Sequence, residues 1–197
     1  MKNIIVLSIM LLWQLDMPVM AAQSHEKAIR LQVKSIFKPT KDTLITDQTQ
    51  DQAEAAWLNG KNRFLLVKMA KDRKLTQRLT PATLRISLLK TIYYEAKRAG
   101  LEPDLVLAVI MVESRFRKYA ISSAGARGYM QVMGFWGDIV GEPSSDLFNT
   151  RTNLRLGCAI LRNYLDREHG NLHRALARYN GSLGRNTYPN LIYAAWN

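Results

Sequence analysis

Leu105-Val106-Leu107-Ala108-Val109-Ile110-Met111-Val112-Glu113 is the stretch on which the fold turns: eight consecutive apolar residues that end on a carboxylate. A run this short suits a buried strand or a buried helix equally well. Its flanks favour the helix. Pro103-Asp104 precedes it, with proline fitting the first helical turn and an acid fitting the positive end of the helix dipole. Ser114-Arg115-Phe116 carries the pattern onward. A helix that is apolar on every side must be surrounded by other elements, so the stretch predicts the central, buried helix of an all-α domain. Glu113 then sits one turn past Val109 and Ile110. A carboxyl at that position loses water, which favours its neutral form, and a neutral carboxylic acid near pH 7 is what general-acid catalysis needs. Position alone favours the plainer reading, a buried stretch that stops at Val112 and a Glu113 that turns to solvent.

Helical signals continue on both sides. Thr80-Pro81 reads as an N-cap followed by proline at the first helical position. Leu84, Leu88, Leu89, Ile92, Tyr93 and Ala96 mark one apolar face, Arg85, Lys90, Lys97 and Arg98 the wet one, and Gly100 a stop. Glu95 is expected at the surface, paired with Arg98 or Lys97. Downstream, Ser122 to Gly128 is a small-residue turn with Gly125 and Gly128 available for positive φ. Tyr129 to Val140 reads as a helix interrupted by Gly134 and Gly137. Asn153 to Glu168 is amphipathic. Leu172, Ala175, Leu176 and Tyr179 form another helical face, and Tyr188-Pro189 opens a short last helix. No strand signature or repeat stands out.

The N-terminal part is of a different kind. Lys2, the apolar run Ile4 to Trp13 and the small residue in Val19-Met20-Ala21 have the layout of a secretory leader over residues 1–22, and that run is too short to cross a bilayer core of ~30 Å. Residues 23–80 are polar and mixed, and are expected to form an extension of short helices with a loop near 38–50. The chain holds 28 Lys and Arg against 16 Asp and Glu, a formal charge of +12. Such a balance draws a protein to polyanions; export makes nucleic acid the weakest of the candidate partners and an acidic cell-wall polymer the best. Cys158, the single cysteine, falls on the apolar face of its helix and reads as a small buried hydrophobe. His169 and His173 have a metal-compatible spacing, but Gly170 and Asn171 between them point to a turn and no third ligand is evident. No metal or cofactor is expected.

Several short motifs occur in a fixed order: Glu113-Ser114-Arg115-Phe116; Ser122, then Gly125-Ala126-Arg127-Gly128-Tyr129-Met130-Gln131-Val132-Met133; Asn153-Leu154-Arg155 with Gly157; and Ala177-Arg178-Tyr179-Asn180-Gly181. Gln131 follows Glu113 by 18 positions. In these pieces, over roughly residues 85 to 195, the chain resembles the soluble lytic transglycosylases, lysozyme-like enzymes that cleave bacterial peptidoglycan. The resemblance implies a goose-type lysozyme-like helical domain over residues 81–197, acting as a monomer in the periplasm or beyond, with peptidoglycan glycan strands as its partner and no membrane span once the leader is removed.

It also implies roles. Glu113 is the expected catalytic acid/base. Ser122 is expected to bond the substrate or the catalytic carboxyl, Gln131 to line the cleft beside Glu113, and Tyr179 and Asn180 to face the cleavage site. Tyr129 and Met130 are expected on the substrate side, and the Gly125–Gly128 turn to offer backbone amides to the sugar. Apart from the resemblance, Trp57, Trp136 and Trp196 read first as core aromatics, with Trp136, nearest the motifs, the candidate for stacking on a sugar face. Ser114 and Phe116 are expected to be structural. Tyr129 stands where the family has Leu, and Gly134 where it has Pro, so subsite shape departs from the pattern. No second carboxylate has a family counterpart here, although glycosidases ordinarily use two. The resemblance therefore implies a single-carboxylate route. Glu113 protonates the oxygen between N-acetylmuramic acid and N-acetylglucosamine, and the sugar's own C6 hydroxyl closes a 1,6-anhydro ring. A hydrolytic muramidase, or an idle wall-binding protein on the same fold, are the alternatives.

Overall fold

Six residues in a row, Leu105 to Ile110, are almost wholly withdrawn from solvent, and the rest of the protein is arranged around them. The computed structural model describes residues 27, 28, 30–35, 48–141 and 143–196. The leader expected over residues 1–22 lies outside them, as does most of the loop expected near 38–50. In chain order the described helices are α1 (Gln48–Met69), α2 (Arg73–Leu79), α3 (Ala82–Arg98), α4 (Pro103–Glu113), α5 (Gly134–Val140), a 3-10 turn (Ser144–Phe148), α6 (Thr150–Arg167), α7 (Leu172–Tyr179) and α8 (Thr187–Trp196). Residues 30–35 are helical as well. Among the described residues there is no strand, and the fold is all-α with α4 as its buried centre.

α4 lies between α3 and α8; α3 also packs on α1 and α6, and α7 bridges α6 and α8. Pro103 occupies the first helical position. Each fully buried Leu, Val or Ile along α4 contributes ~1.5–3 kcal/mol relative to an exposed one, so this helix dominates the core.

The segment before residue 80 belongs to the same core. Its main element is one 22-residue helix, longer than the short helices expected there, and Leu65, Met69, Leu75 and Leu79 are buried with α4 in a single apolar cluster. α2 is capped by Asp72, whose Oδ1 accepts from the N–H groups of Lys74 and Leu75 at 2.9 and 3.0 Å. Arg85, expected on the wet face of α3, is only 6% exposed. Its Nη1 donates to the carbonyl of Leu79 at 3.0 Å and its Nε to Asn62 at 2.7 Å, locking α1, α2 and α3 together. The N-terminal stretch is tied down in the same way: Val33 is fully buried, and Gln32 bonds Asn163 and Asp166 on α6.

Glu95 is not at the surface. It is 1% exposed and shares its two oxygens among Arg98, Arg151 and Arg155. A buried carboxylate is tolerable only with such pairing. The pair with Arg98 follows from their spacing; the two arginines of α6 do not. Thr80 closes α2 instead of opening α3, which starts at Ala82 after Pro81. Among the described residues, no helix is long and apolar enough to cross a membrane.

Candidate functional site

The site begins where α4 is forced to stop. Glu113 is its last residue, short of the continuation through Phe116 expected from the pattern. Ser114 is fully buried and returns both its N–H and its hydroxyl to the carbonyl of Ile110, at 3.1 and 3.2 Å. Arg115 and Phe116 then take left-handed backbone at φ 49° and 60°, a conformation that costs a non-glycine residue ~1–3 kcal/mol. Burial of the Phe116 ring, 3% exposed, offsets part of that cost. Two arginines hold the turn: Arg117 Nε donates to the Ser114 carbonyl at 3.0 Å, and Arg78 Nη1 donates to the Arg115 carbonyl at 2.9 Å.

Glu113 is half-buried. Burial pushes its carboxyl up from the ordinary 4.5 to about 7, against the opposing pull of a hydrogen bond from Tyr188. Tyr188, on α8 and 5% exposed, donates to Glu113 Oε1 at 2.6 Å. No other carboxylate contributes to the shift. Tyr179 feels the same carboxyl; burial, reinforced by Glu113, raises both phenols well above their ordinary value, so they stay protonated. One desolvated acid and two neutral phenols thus form the centre. Replacing Tyr188 with Phe removes the donor that favours the charged carboxylate. The Glu113 carboxyl, followed by carbon-13 NMR in the Y188F protein, should titrate higher by up to about one unit. An unchanged or lower value would contradict the contact.

Beside this centre, residues 120–133 form a tight loop, not the start of a helix. Isolated antiparallel bridges join Ile121 to Arg127 and Arg127 to Val132; α5 starts only at Gly134. The loop spends its amides on itself. The N–H groups of Gly125, Ala126, Arg127 and Gly128 go to Ser122 O, Ser122 Oγ, Val132 O and Ala120 O, so those groups are already bonded within the loop and not free for a sugar, contrary to the sequence expectation. Ser122 closes this turn and makes no bond to Glu113. Gln131, itself at φ 51°, donates through Nε2 to Ala120 O and Gly128 O at 3.3 and 3.0 Å; its side-chain Oε1 makes no bond among the described residues.

Tyr129 and Met130 are 4% and 0% exposed. Both side chains pack into the apolar core, Tyr129 as the larger hydrophobe in place of the family's Leu. Met130 also acts through its backbone, as its carbonyl accepts the Tyr179 hydroxyl at 2.8 Å. Asn180, half-buried, ends α7 one residue beyond Tyr179, with its N–H on the Leu176 carbonyl. Trp136 is 7% exposed and tilts against Phe135 at 5.2 Å, a core arrangement.

The motif Asn153-Leu154-Arg155 with Gly157 holds the loop in place. Asn153, 1% exposed, accepts from Met130 N–H and donates to the carbonyls of Arg127 and Leu147, each at 2.9 Å. Leu154 is in the core and Arg155 grips Glu95. At Gly157 any Cβ would lie 2.5 Å from Met130 Sδ. Gly128, at φ 75°, is needed twice over, for its backbone and because a Cβ would strike Asn153 at 2.4 Å. Neither Asn153 nor Tyr188 stands out in the sequence as part of the site. Asn153 opens one of the ordered motifs, which was its only signal; Tyr188 lies 75 positions from its partner and gave none.

The family model described as the Transglycosylase SLT domain matches residues 90–190. The chain is similar to membrane-bound lytic murein transglycosylase C of Yersinia enterocolitica, 32% identical over 112 residues, 49% of this chain and 31% of the relative. The Yersinia pestis protein of that name is 33% identical over the same shares. Among solved structures it is similar to an inactive mutant of lytic transglycosylase Slt from Pseudomonas aeruginosa, at 32% identity and a TM-score of 0.44, covering 50% of this chain and 17% of that one. The chain spans about a third of the length of the curated relatives it matches.

Proposed function

We propose, from the premise that the chain belongs to the transglycosylase SLT domain family, that it is an exported enzyme that cleaves the glycan strands of peptidoglycan by a single-carboxylate route. The observation that carries this reading is the Glu113 carboxyl, held near pH 7 by burial and, among the described residues, touched by a phenol but by no second acid. Retaining glycosidases place two carboxyls ~5–5.5 Å apart, and a second charge at that distance would itself raise the first acid.

In this mechanism protonated Glu113 gives its proton to the oxygen linking N-acetylmuramic acid to N-acetylglucosamine, and that bond breaks through an oxocarbenium-like state. The Tyr188 hydroxyl then stabilises the carboxylate left behind. Glu113 next takes the proton of the muramic C6 hydroxyl as that oxygen attacks C1, which returns the acid to its starting form without consuming water. Tyr179, anchored on the Met130 carbonyl, and Asn180 next to it are the groups proposed to orient the sugar. Ser122 and Gln131 frame the cleft in this reading through the loop they close, with Gln131 Oε1 as an acceptor for substrate.

The leader composition of residues 1–22, together with relatives named as membrane-bound, supports export. Residues 81–197 are the proposed catalytic domain, with the preceding extension built into its core. Mass spectrometry of wall material digested by the purified protein tests the reading. The expected products carry 1,6-anhydromuramic ends. Reducing muramic ends would identify a hydrolase, and undigested wall would overturn the enzymatic reading.

A further inference from the structure

The double left-handed turn at Arg115 and Phe116 fixes where α4 ends, and so where the Glu113 carboxyl sits. One of its two clamps comes from far away in the chain. Arg117 is local, three residues from the carbonyl it holds. Arg78 is 37 residues upstream of Arg115, on α2, outside the segment that matches the family model. Its mount is rigid. Leu75 and Leu79 of α2 are buried, the start of α2 is capped by Asp72, and the neighbouring Leu79 carbonyl is held by the buried Arg85. A strained backbone persists only where its surroundings over-determine it, and here the extension supplies one of the determinants.

We propose that Arg78 is a positioning residue for Glu113: its bond to the Arg115 carbonyl holds the left-handed turn that keeps the end of α4 in place, making the N-terminal extension part of the catalytic apparatus. The inference rests on the reading of Glu113 given above. Besides the Arg115–Phe116 turn, the groups facing Glu113 are Tyr188 from α8 and Tyr179 from α7; Arg78 acts on the backbone behind it.

Clamp and charge predict opposite signs. With the clamp removed, the turn relaxes, the carboxyl gains water and its pKa falls. If Arg78 acted only as a nearby positive charge, its removal would raise that pKa. The experiment compares the full-length wild type with R78M, R78Q and R78K, by kcat and KM on peptidoglycan, by carbon-13 NMR titration of Glu113, and by thermal melting. Methionine and glutamine are both helix-compatible but do not make the bond, so either variant serves if the other fails to fold. The expected result is a kcat lower by roughly fivefold to tenfold, the scale of one ordinary solvent-exposed hydrogen bond. KM should change less than kcat, the Glu113 titration should move down, and R78K should recover most of the loss. An unchanged titration with activity lost only in proportion to folded protein, or a titration that moves up, overturns the proposal. A wild type that leaves peptidoglycan intact would sink the enzymatic reading, while the NMR titration would still decide the clamp.

Discussion

E113Q protein is expected to leave peptidoglycan uncleared and, at pH 8, to melt at a higher temperature than its parent. The first half follows from the proton. Glutamine preserves the shape of the side chain and its contact with Tyr188 but has no proton to give, and a positioned general acid is worth about 10²–10⁴ in rate; with no second carboxylate at the centre among the described residues, none of them substitutes for it. The second half follows from linkage. The Glu113 carboxyl titrates at about 7 when folded and near 4.5 otherwise. Between those values the folded protein holds a proton that the unfolded chain has released, so stability is full below pH 4.5 and declines as pH rises through 7. Above pH 7 the parent carries a poorly solvated charge at a cost of at most roughly 3 kcal/mol. Glutamine carries none. Melting curves at pH 5 and pH 8 should therefore show a gap in favour of E113Q that opens with pH, by several degrees for a chain of this size. A gap of equal size at both pH values would mean that the carboxyl is not desolvated in the folded state.

N153A should lose roughly 3 kcal/mol, about 6–12 °C in Tm. The mutation leaves three backbone groups, the N–H of Met130 and the carbonyls of Arg127 and Leu147, without the partner each now has, in a place almost closed to water. Activity should fall further than the folded fraction, because the Met130 carbonyl whose position depends on Asn153 is also the anchor of the Tyr179 hydroxyl. Thermal melting paired with a rate measured well below the transition checks both. A Tm within about 2 °C of the parent would mean the loop is held by something other than Asn153.

What was legible in the sequence was what is local. Periodicity and end signals placed α3, α4, α6, α7 and α8, because helix boundaries depend on the residues at them. Glu113 was visible because the apolar run ends on it. Contacts across the chain were not visible. Tyr188 reaches Glu113 from 75 positions away, and Glu95 is buried because two arginines of α6 come to it, which spacing along α3 does not encode. The stretch from Tyr129 to Met133 lies in a segment whose pattern suggests an interrupted helix, yet Gln131 and the Arg127–Val132 bridge fold it back on itself. Apolar content alone does not separate a buried loop from a buried helix. The family resemblance supplied the motif positions, and the structure adds what several of them do for the loop itself: Ser122, Gln131 and Asn153 bond its backbone.

The close approach of Gly157 to Met130 couples two positions 27 residues apart. Neither is free to drift alone. A methyl group gained on α6 has room only if the thioether across from it is traded for something shorter, and that trade shifts the very peptide unit from which Tyr179 hangs. Change at this pair should therefore come as a matched double substitution, and single substitutions that persist should lie in other parts of the surface.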